Sequence, residues 1–154
     1  MTQSISIKIA TQLMNGSMKL ILTSPLHSLV SKSILLIRFT GRKSGKDYAT
    51  PVSYARESHE ILVFTHDKWW KNLVGGAPVS VRLQGRERRG LARPISDDPR
   101  AVFAGMQLYF RQVPQDAKFY KVRLEDSGQP NTEDVQRAAQ TTIMIRIRLE
   151  EPYR

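Results

Sequence analysis

The chain has 154 residues, enough for one domain with a buried core. Its 24 lysines and arginines outnumber its 14 acidic residues and give a formal net charge of +10, which favours an anionic partner such as nucleic acid, a membrane face or a cofactor. The absence of cysteine excludes disulfides and thiolate metal sites. The histidines lie far apart in sequence, so we also expect no metal site.

Residues 1–32 predict a helical N-terminal segment. Ile5, Ile9 and Leu13 are spaced for one apolar face, and Ser24 followed by Pro25 is typical of the start of a second helix. We favour packing of this segment on a sheet, with peripheral membrane contact as the alternative because its flanks are basic. The N-terminus lacks a signal-peptide pattern and no apolar run could span a bilayer, so we expect a cytoplasmic protein.

Residues 33–95 predict strands interrupted by one short helix. The run from Ile34 to Phe39 is almost entirely apolar, as in a strand buried on both faces. Later strands alternate apolar and polar residues, which indicates one solvated face. Pro51 falls inside a strand pattern, and because proline cannot donate to a ladder, we expect an edge or a bulge at that point.

Residues 97–140 predict a helical region, and residues 141–150 predict a final strand. Asp98 and Pro99 are typical of a helix start, and Asn131 is placed to cap a second, short helix. The whole pattern predicts an α+β fold in one domain over residues 1–154. Its single antiparallel sheet is expected to close as a barrel with helices at its ends.

The loop Gly41–Lys46 joins the first two predicted strands. Glycines at its ends suit a tight turn that lets an anion approach the backbone closely. Arg42 and Lys43 supply charge, and Ser44 can donate a hydrogen bond. The loop is therefore a candidate phosphate site, the alternative being a solvated basic hairpin.

The short helix after the third strand carries two consecutive tryptophans. Asp67 is placed to cap it, and Gly75 and Gly76 to end it. On an α-helix Trp69 would share a face with Leu73 and point into the core, whereas Trp70 would turn towards a cleft.

These residues together resemble the deazaflavin-dependent nitroreductase and quinone reductase family. The resemblance rests on the stretch from Ile37 to Lys46, then Thr50-Pro51-Val52, then Trp69-Trp70-Lys71-Asn72-Leu73. It implies a split β-barrel with Greek-key-like connections, and coenzyme F(420) as the source of hydride. Asp67 stands near where other members carry a cation, so flavin mononucleotide is the alternative cofactor.

The resemblance also implies roles for individual residues. The phosphate would be held by the loop, the ring would lie against the second strand, and the tryptophan helix would wall the pocket. The residues implied for the cofactor are Arg42, Lys43, Ser44, Gly45, Tyr48, Thr50, Pro51, Val52, Thr65, His66, Trp69, Trp70 and Asn72. No catalytic side chain is expected, because the cofactor itself carries the hydride.

The electron acceptor would be a quinone, a nitroaromatic or another electron-poor small molecule. By the same resemblance, Tyr109 and Tyr120 would border its pocket, and Phe119 is expected to be a core residue. The basic strand Arg86–Arg93 makes nucleic-acid binding an alternative, but we do not expect it, because the aromatic residues lie elsewhere in the sequence. A homodimer is possible.

Overall fold

The computed structural model of the protein describes residues 33–150, so the predicted N-terminal helices lie outside the described part. Six strands and four helices make up this region. They are β1 Ile34–Thr40, β2 Asp47–Glu57, β3 Glu60–Thr65, the 3-10 helix η1 Lys68–Leu73, β4 Ala77–Leu83, β5 Arg86–Ile95, α1 Pro99–Gln112, the 3-10 helix η2 Pro114–Tyr120, α2 Thr132–Ala139 and β6 Ile143–Leu149.

The strands form a closed antiparallel barrel in the order β1-β2-β3-β6-β5-β4, and β4 closes it by pairing with β1. This confirms the predicted barrel. Side chains alternate between its interior and its exterior. On β6, Ile145 and Ile147 point into the barrel core, whereas Met144 points outward into a second core beneath the helices.

The helices cover one side of the barrel. Helix α1 packs on β2, β3 and β6, and α2 packs on α1. Gly105 allows the close approach of α1, because a Cβ at this position would overlap the sulfur atom of Met144. The second core formed in this way keeps α1 fixed against the outer face of the sheet.

The predicted starts of α1 and α2 are confirmed, and a side chain caps each helix. The Asp98 carboxylate accepts a hydrogen bond from the backbone N–H of Ala101 at 3.1 Å, and the Asn131 side chain accepts one from Asp134 N–H at 3.0 Å. Each cap satisfies a backbone donor that has no partner within its helix. The caps therefore fix where α1 and α2 begin.

Pro51 lies where the sequence predicts, on an edge. Strand β2 pairs with β1 along residues 47–53 but pairs with β3 only from Tyr54 onward. The Tyr54 N–H donates to Ser33 C=O, so the alternation of an antiparallel ladder turns Ala49 and Pro51 away from β1. The nitrogen of Pro51 therefore faces the side of β2 that has no strand partner.

Candidate functional site

The loop between β1 and β2 is a tight turn with exposed cations. The Gly41 N–H donates to Lys46 C=O at 2.7 Å, and the Gly45 N–H donates to Gly41 C=O at 2.9 Å. Gly45 has φ +68°, a conformation that favours glycine. A Cβ on Gly41 would stand 2.5 Å from Ser44 Oγ, so a side chain there would displace the serine. The turn thus holds its backbone in one shape while its side chains stay in solvent.

Ser44 and Tyr48 face one another across the turn. Ser44 Oγ accepts a hydrogen bond from the Lys46 N–H at 3.2 Å and lies 3.3 Å from the Tyr48 hydroxyl. Both hydroxyls line the cavity described below. The turn therefore presents two hydroxyl groups beside its cations, in keeping with the predicted anion site.

Asn72 ties the loop to helix η1. Its side-chain oxygen accepts the Arg42 N–H at 2.9 Å, and its amide donates to Trp69 C=O at 2.9 Å. One side chain therefore fixes both the loop backbone and the helix backbone. Asn72 links the two elements that form the walls of the cavity.

The predicted orientation of the tryptophans is wrong. η1 is a 3-10 helix, in which residues three apart share a face. Trp69 therefore shares a face with Asn72 and lines the cavity, while Trp70 shares a face with the buried Leu73 and does not line it. Both indoles are half-buried against the barrel core. The predicted side-chain cap from Asp67 is also absent.

A cavity of about 380 Å³ opens between the loop and η1. Its volume lies within the range common for small-molecule sites. Among its lining residues, Arg42, Lys43, Lys68 and Lys71 carry positive charge and none is acidic. The full lining is Phe39, Gly41, Arg42, Lys43, Ser44, Tyr48, Lys68, Trp69, Lys71 and Asn72.

Sequence reasoning missed Lys68 and Lys71. Both were visible in the sequence, but an α-helical period turns them away from the side of Trp70, which was expected to meet the cleft. On a 3-10 helix, positions 68 and 71 lie on one face, where the structure brings both to the cavity. No ion pair within residues 33–150 involves any of the four cavity cations, so no acidic side chain in that range compensates their charge.

Aromatic rings form one wall of the cavity. Phe39 is stacked between Tyr48 and Trp69, with ring centroids 5.7 Å and 5.3 Å away and both pairs inclined by 22°. Phe39 itself is almost completely buried. The cavity combines this fixed apolar surface with the cations beside it, which suits a ligand that is aromatic at one end and anionic at the other.

The remaining residues predicted for the cofactor do not line this cavity. Pro51 and Val52 are half-buried on β2, further along its unpaired edge, whereas Thr50 is buried. Gly45 is exposed at the tip of the turn. The rise of a strand puts Pro51 about 10 Å from Tyr48, so one elongated ligand could reach both.

Thr65 and His66 lie beside α2 and η2. The Thr142 hydroxyl donates to Ala138 C=O at 2.7 Å, so its oxygen accepts the Nε2–H of His66 at 3.1 Å. This leaves Nδ1 of the neutral ring without a proton. Burial lowers the pKa of His66, and the carboxylate of Asp67 opposes that shift. Thr65 is buried and accepts the Asp67 N–H.

The two tyrosines predicted for the acceptor pocket belong to a buried network. Tyr109 is only 2% exposed, which contradicts a place on a pocket rim, and its hydroxyl donates to the Asp116 carboxylate. Tyr120 is half-buried and donates to Phe64 C=O at 3.3 Å. Burial, with Asp116 close by, holds the pKa of both phenols well above the ordinary value. Both phenols therefore stay neutral.

Phe119 is 38% exposed rather than buried in the core. It belongs to a 3-10 helix, so its position does not follow the α-helical spacing used to predict it. The ammonium group of Lys118 lies 5.3 Å from the centre of its ring. Phe119 therefore contributes a cation–π contact at the surface.

Within residues 33–150, no three histidine, aspartate or glutamate side chains gather as ligands for a metal ion. None of the helices in that range has the length and apolar character needed to cross a bilayer.

Residues 25–126 match the F420H(2)-dependent quinone reductase family. No curated protein matches the chain. A solved structure of a conserved hypothetical protein from Mycobacterium tuberculosis is similar, with 17% identity and a TM-score of 0.54 over 83% of this chain and 81% of that one. A domain-swapped dimer shares 18% identity with a TM-score of 0.52, over 91% and 98%. An F420-H2 dependent reductase shares 19% identity with a TM-score of 0.49, over 77% and 94%.

Proposed function

The chain belongs to the F420H(2)-dependent quinone reductase family and is therefore an oxidoreductase. From this membership we propose that it transfers hydride from reduced coenzyme F(420) to a quinone. Nitroaromatics and other electron-poor rings are proposed as further acceptors. Coenzyme F(420) supplies the hydride when bound. The residues of this chain bind it, orient it and exclude water.

The observation that carries the proposal is the cavity, whose four cations have no acidic partner in the described part of the chain. A phosphate requires positive charge and hydrogen-bond donors in a place that the backbone can approach. Arg42 and Lys43 on the loop, and Lys68 and Lys71 on η1, supply charge from two sides. The hydroxyl groups of Ser44 and Tyr48 supply donors. The residues present therefore fit the phosphate end of the cofactor.

The aromatic wall and the unpaired edge of β2 fit the other end of the cofactor. Phe39 and Trp69 provide a flat apolar surface beside the cations. Further along β2, the Ala49 N–H and the Pro51 C=O point away from β1 and can meet the polar edge of a ring. We assign Pro51 and Val52 to contact with the ring, and the Gly45 turn to the phosphate.

The remaining predicted residues act at a distance from the cavity in this proposal. Thr50 supports β2 from the barrel interior, and Thr65 positions Asp67 at the start of η1. His66 and Tyr120 lie on the helical side of the unpaired edge, where an acceptor could approach. Tyr109 holds this side in place through Asp116.

A titration with matched ligands tests the proposal. Oxidised coenzyme F(420), the same deazaflavin without its phosphate, and flavin mononucleotide would each be added while tryptophan fluorescence is recorded. We expect the phosphate-containing deazaflavin to bind most tightly. Losing its phosphate should weaken binding by about 2–4 kcal/mol, the cost of one or two charge-assisted hydrogen bonds. Tighter binding of flavin mononucleotide would mean that flavin mononucleotide, not coenzyme F(420), is the cofactor. Equal binding of the deazaflavin with and without its phosphate would mean that the phosphate does not bind in the cavity.

The acceptor is tested separately. Loss of the absorbance of reduced coenzyme F(420) would be followed with a quinone, with a nitroaromatic and without acceptor. We expect oxidation that depends on the acceptor and is faster with the quinone. If reduced coenzyme F(420) were oxidised at the same slow rate in all three reactions, neither the quinone nor the nitroaromatic would be an acceptor, although the cofactor would still bind.

Two features of organisation also remain proposals. We propose a single domain over residues 1–154 that can form a homodimer, which the similar structure described as a domain-swapped dimer supports. Light scattering of the purified protein measures its mass directly. A mass equal to 17.6 kDa at all concentrations would exclude the homodimer.

A further inference from the structure

The outer face of β5 exposes aliphatic side chains among arginines. Arg89, Leu91 and Arg93 alternate with inward-facing residues and so point outward together. Leu91 is 48% exposed, with Pro78 opposite it on β4 and Arg148 opposite it on β6. These five residues are called the β5 patch.

The acidic side chains of the described residues leave most of the charge on the arginines of the β5 patch unpaired. Among the ion pairs of residues 33–150, none includes Arg89 or Arg93. Arg148 lies 3.9 Å from the carboxylate of Glu60, which is also bonded to Arg146 at 2.6 Å, and the Arg148 side chain stays 79% exposed. The patch therefore presents net positive charge to solvent.

The β5 patch adjoins the end of the barrel that holds the cavity. Helix η1 packs against β5, and the Cβ position of Gly76, just after η1, lies 3.9 Å from Arg93 Nε. Val74, between η1 and Gly76, is 51% exposed. Helix α1 packs on β2, β3 and β6 instead, and Leu91 in the middle of β5 stays exposed.

We propose that the β5 patch docks the protein peripherally on an anionic lipid bilayer, with Leu91 and Val74 entering the interface. Cations around exposed aliphatic side chains match anionic headgroups above an apolar layer. A single-stranded nucleic acid would instead need aromatic side chains on which bases stack, and the patch has none. Docking here would bring the cavity end close to acceptors that dissolve in the bilayer. The proposal does not depend on which cofactor the cavity binds.

Co-sedimentation with vesicles tests the proposal. Vesicles of equal parts phosphatidylglycerol and phosphatidylcholine would be compared with pure phosphatidylcholine, each at low and at high salt. We expect binding only to the anionic vesicles and its loss at high salt. Arg89→Ala with Arg93→Ala should weaken binding about 25-fold, at about fivefold for each cation near the surface. Leu91→Ser should weaken it about tenfold.

Matched controls separate the patch from general charge and apolarity. Arg100→Ala with Arg111→Ala removes the same charge from exposed positions of α1, and Leu124→Ser removes another exposed leucine, which is 42% exposed. Both controls should bind vesicles as the unchanged protein does. All variants should keep their melting temperature and affinity for coenzyme F(420), so a failure of docking is distinguishable from a failure of the cavity.

Three results would overturn the proposal. The first is no binding of the unchanged protein to anionic vesicles. The second is equal binding by the patch variants and the controls, which would put the contact elsewhere in the chain. The third is tight binding of a mixed-sequence oligonucleotide, lost in the arginine variant while vesicles do not bind, which would make the β5 patch a nucleic-acid surface.

Discussion

The cavity and the tyrosine network beneath α1 differ in how their polar groups are satisfied. In the network, buried Tyr109 donates to Asp116, and Phe64 and Phe110 pack against its ring. Around the cavity, Arg42, Lys43, Lys68 and Lys71 have no acidic partner among the described residues. Polar groups that are paired and buried stabilise a fold, whereas charges left unpaired at a surface are available to a ligand. The contrast separates the part that holds the protein together from the part that binds.

The largest expected effect is on the network. Tyr109→Ala should lower the free energy of unfolding by about 3–5 kcal/mol, because it leaves a cavity and a buried carboxylate without its donor. Affinity for coenzyme F(420), measured below the melting temperature, should be unchanged. Denaturant unfolding and fluorescence titration measure the two quantities. If Tyr109→Ala kept its stability but no longer bound coenzyme F(420), Tyr109 would be a binding residue rather than part of a structural network.

Tyr109→Phe is the matched control. It keeps the ring contacts and removes only the hydroxyl, so its loss of stability should be about 1–3 kcal/mol, the cost of an unsatisfied buried acceptor. If it were as unstable as Tyr109→Ala, the hydrogen bond rather than the packing of the ring would dominate.

The next largest effect is on the cavity. Arg42→Ala with Lys43→Ala should weaken binding of coenzyme F(420) by about 2–4 kcal/mol through loss of charge-assisted hydrogen bonds. Unfolding should change by no more than about 0.5 kcal/mol, because both side chains are exposed. Lys121, exposed after η2, provides a control substitution to alanine that should leave affinity unchanged. Unchanged affinity in the double variant would assign the phosphate to other cations, with Lys68 and Lys71 the first to test.

The two tryptophans sharpen the same contrast within one helix. Both pack against the barrel core, so alanine at either position should lower stability. Only Trp69→Ala should also weaken cofactor binding, by about 1–2 kcal/mol, because Trp69 lines the cavity and stacks on Phe39. Titration of each variant decides the matter. If Trp70→Ala lost more affinity than Trp69→Ala, Trp70 rather than Trp69 would face the ligand, as expected for an α-helix.

The strand pattern, the starts of α1 and α2 and the cationic loop were readable because each depends on local sequence. Alternating residues on β6 predicted one buried face, and Asp98 and Asn131 predicted helix starts. The errors arose where the period of the helix mattered. Trp70 and Phe119 lie on 3-10 helices, in which the direction of a side chain departs from the α-helical spacing after a few residues. Propensity alone does not distinguish the two helix types over six or seven residues.

Contacts between distant segments were not readable in the sequence. The bond from Arg42 to Asn72 spans thirty positions, and it determines which face of η1 meets the loop. The burial of Tyr109 likewise depends on Asp116 and on strands far away in the chain. The sequence therefore predicted the two segments that line the cavity, whereas their arrangement around it required the structure.

The smallest effect concerns His66, which lies between the two regions. Because burial lowers its pKa below the ordinary 6.5, the unfolded chain takes up a proton before the folded chain does. The stability that His66 contributes is complete above pH 6.5 and is lost as the pH falls through 6.5 towards the lower folded value. The pKa of Asp67 is raised by burial, so protonation of Asp67 favours the folded state, but nearer its ordinary value of 3.8. Tyr120 stays neutral throughout.

We expect the melting temperature to fall slightly between about pH 7 and pH 5. It should fall less in His66→Gln, which can still donate to Thr142. His59→Gln, at an exposed position, should follow the unchanged protein. If His66→Gln had the same dependence of melting temperature on pH as the unchanged protein, His66 would have no part in the packing between the cavity and the tyrosine network.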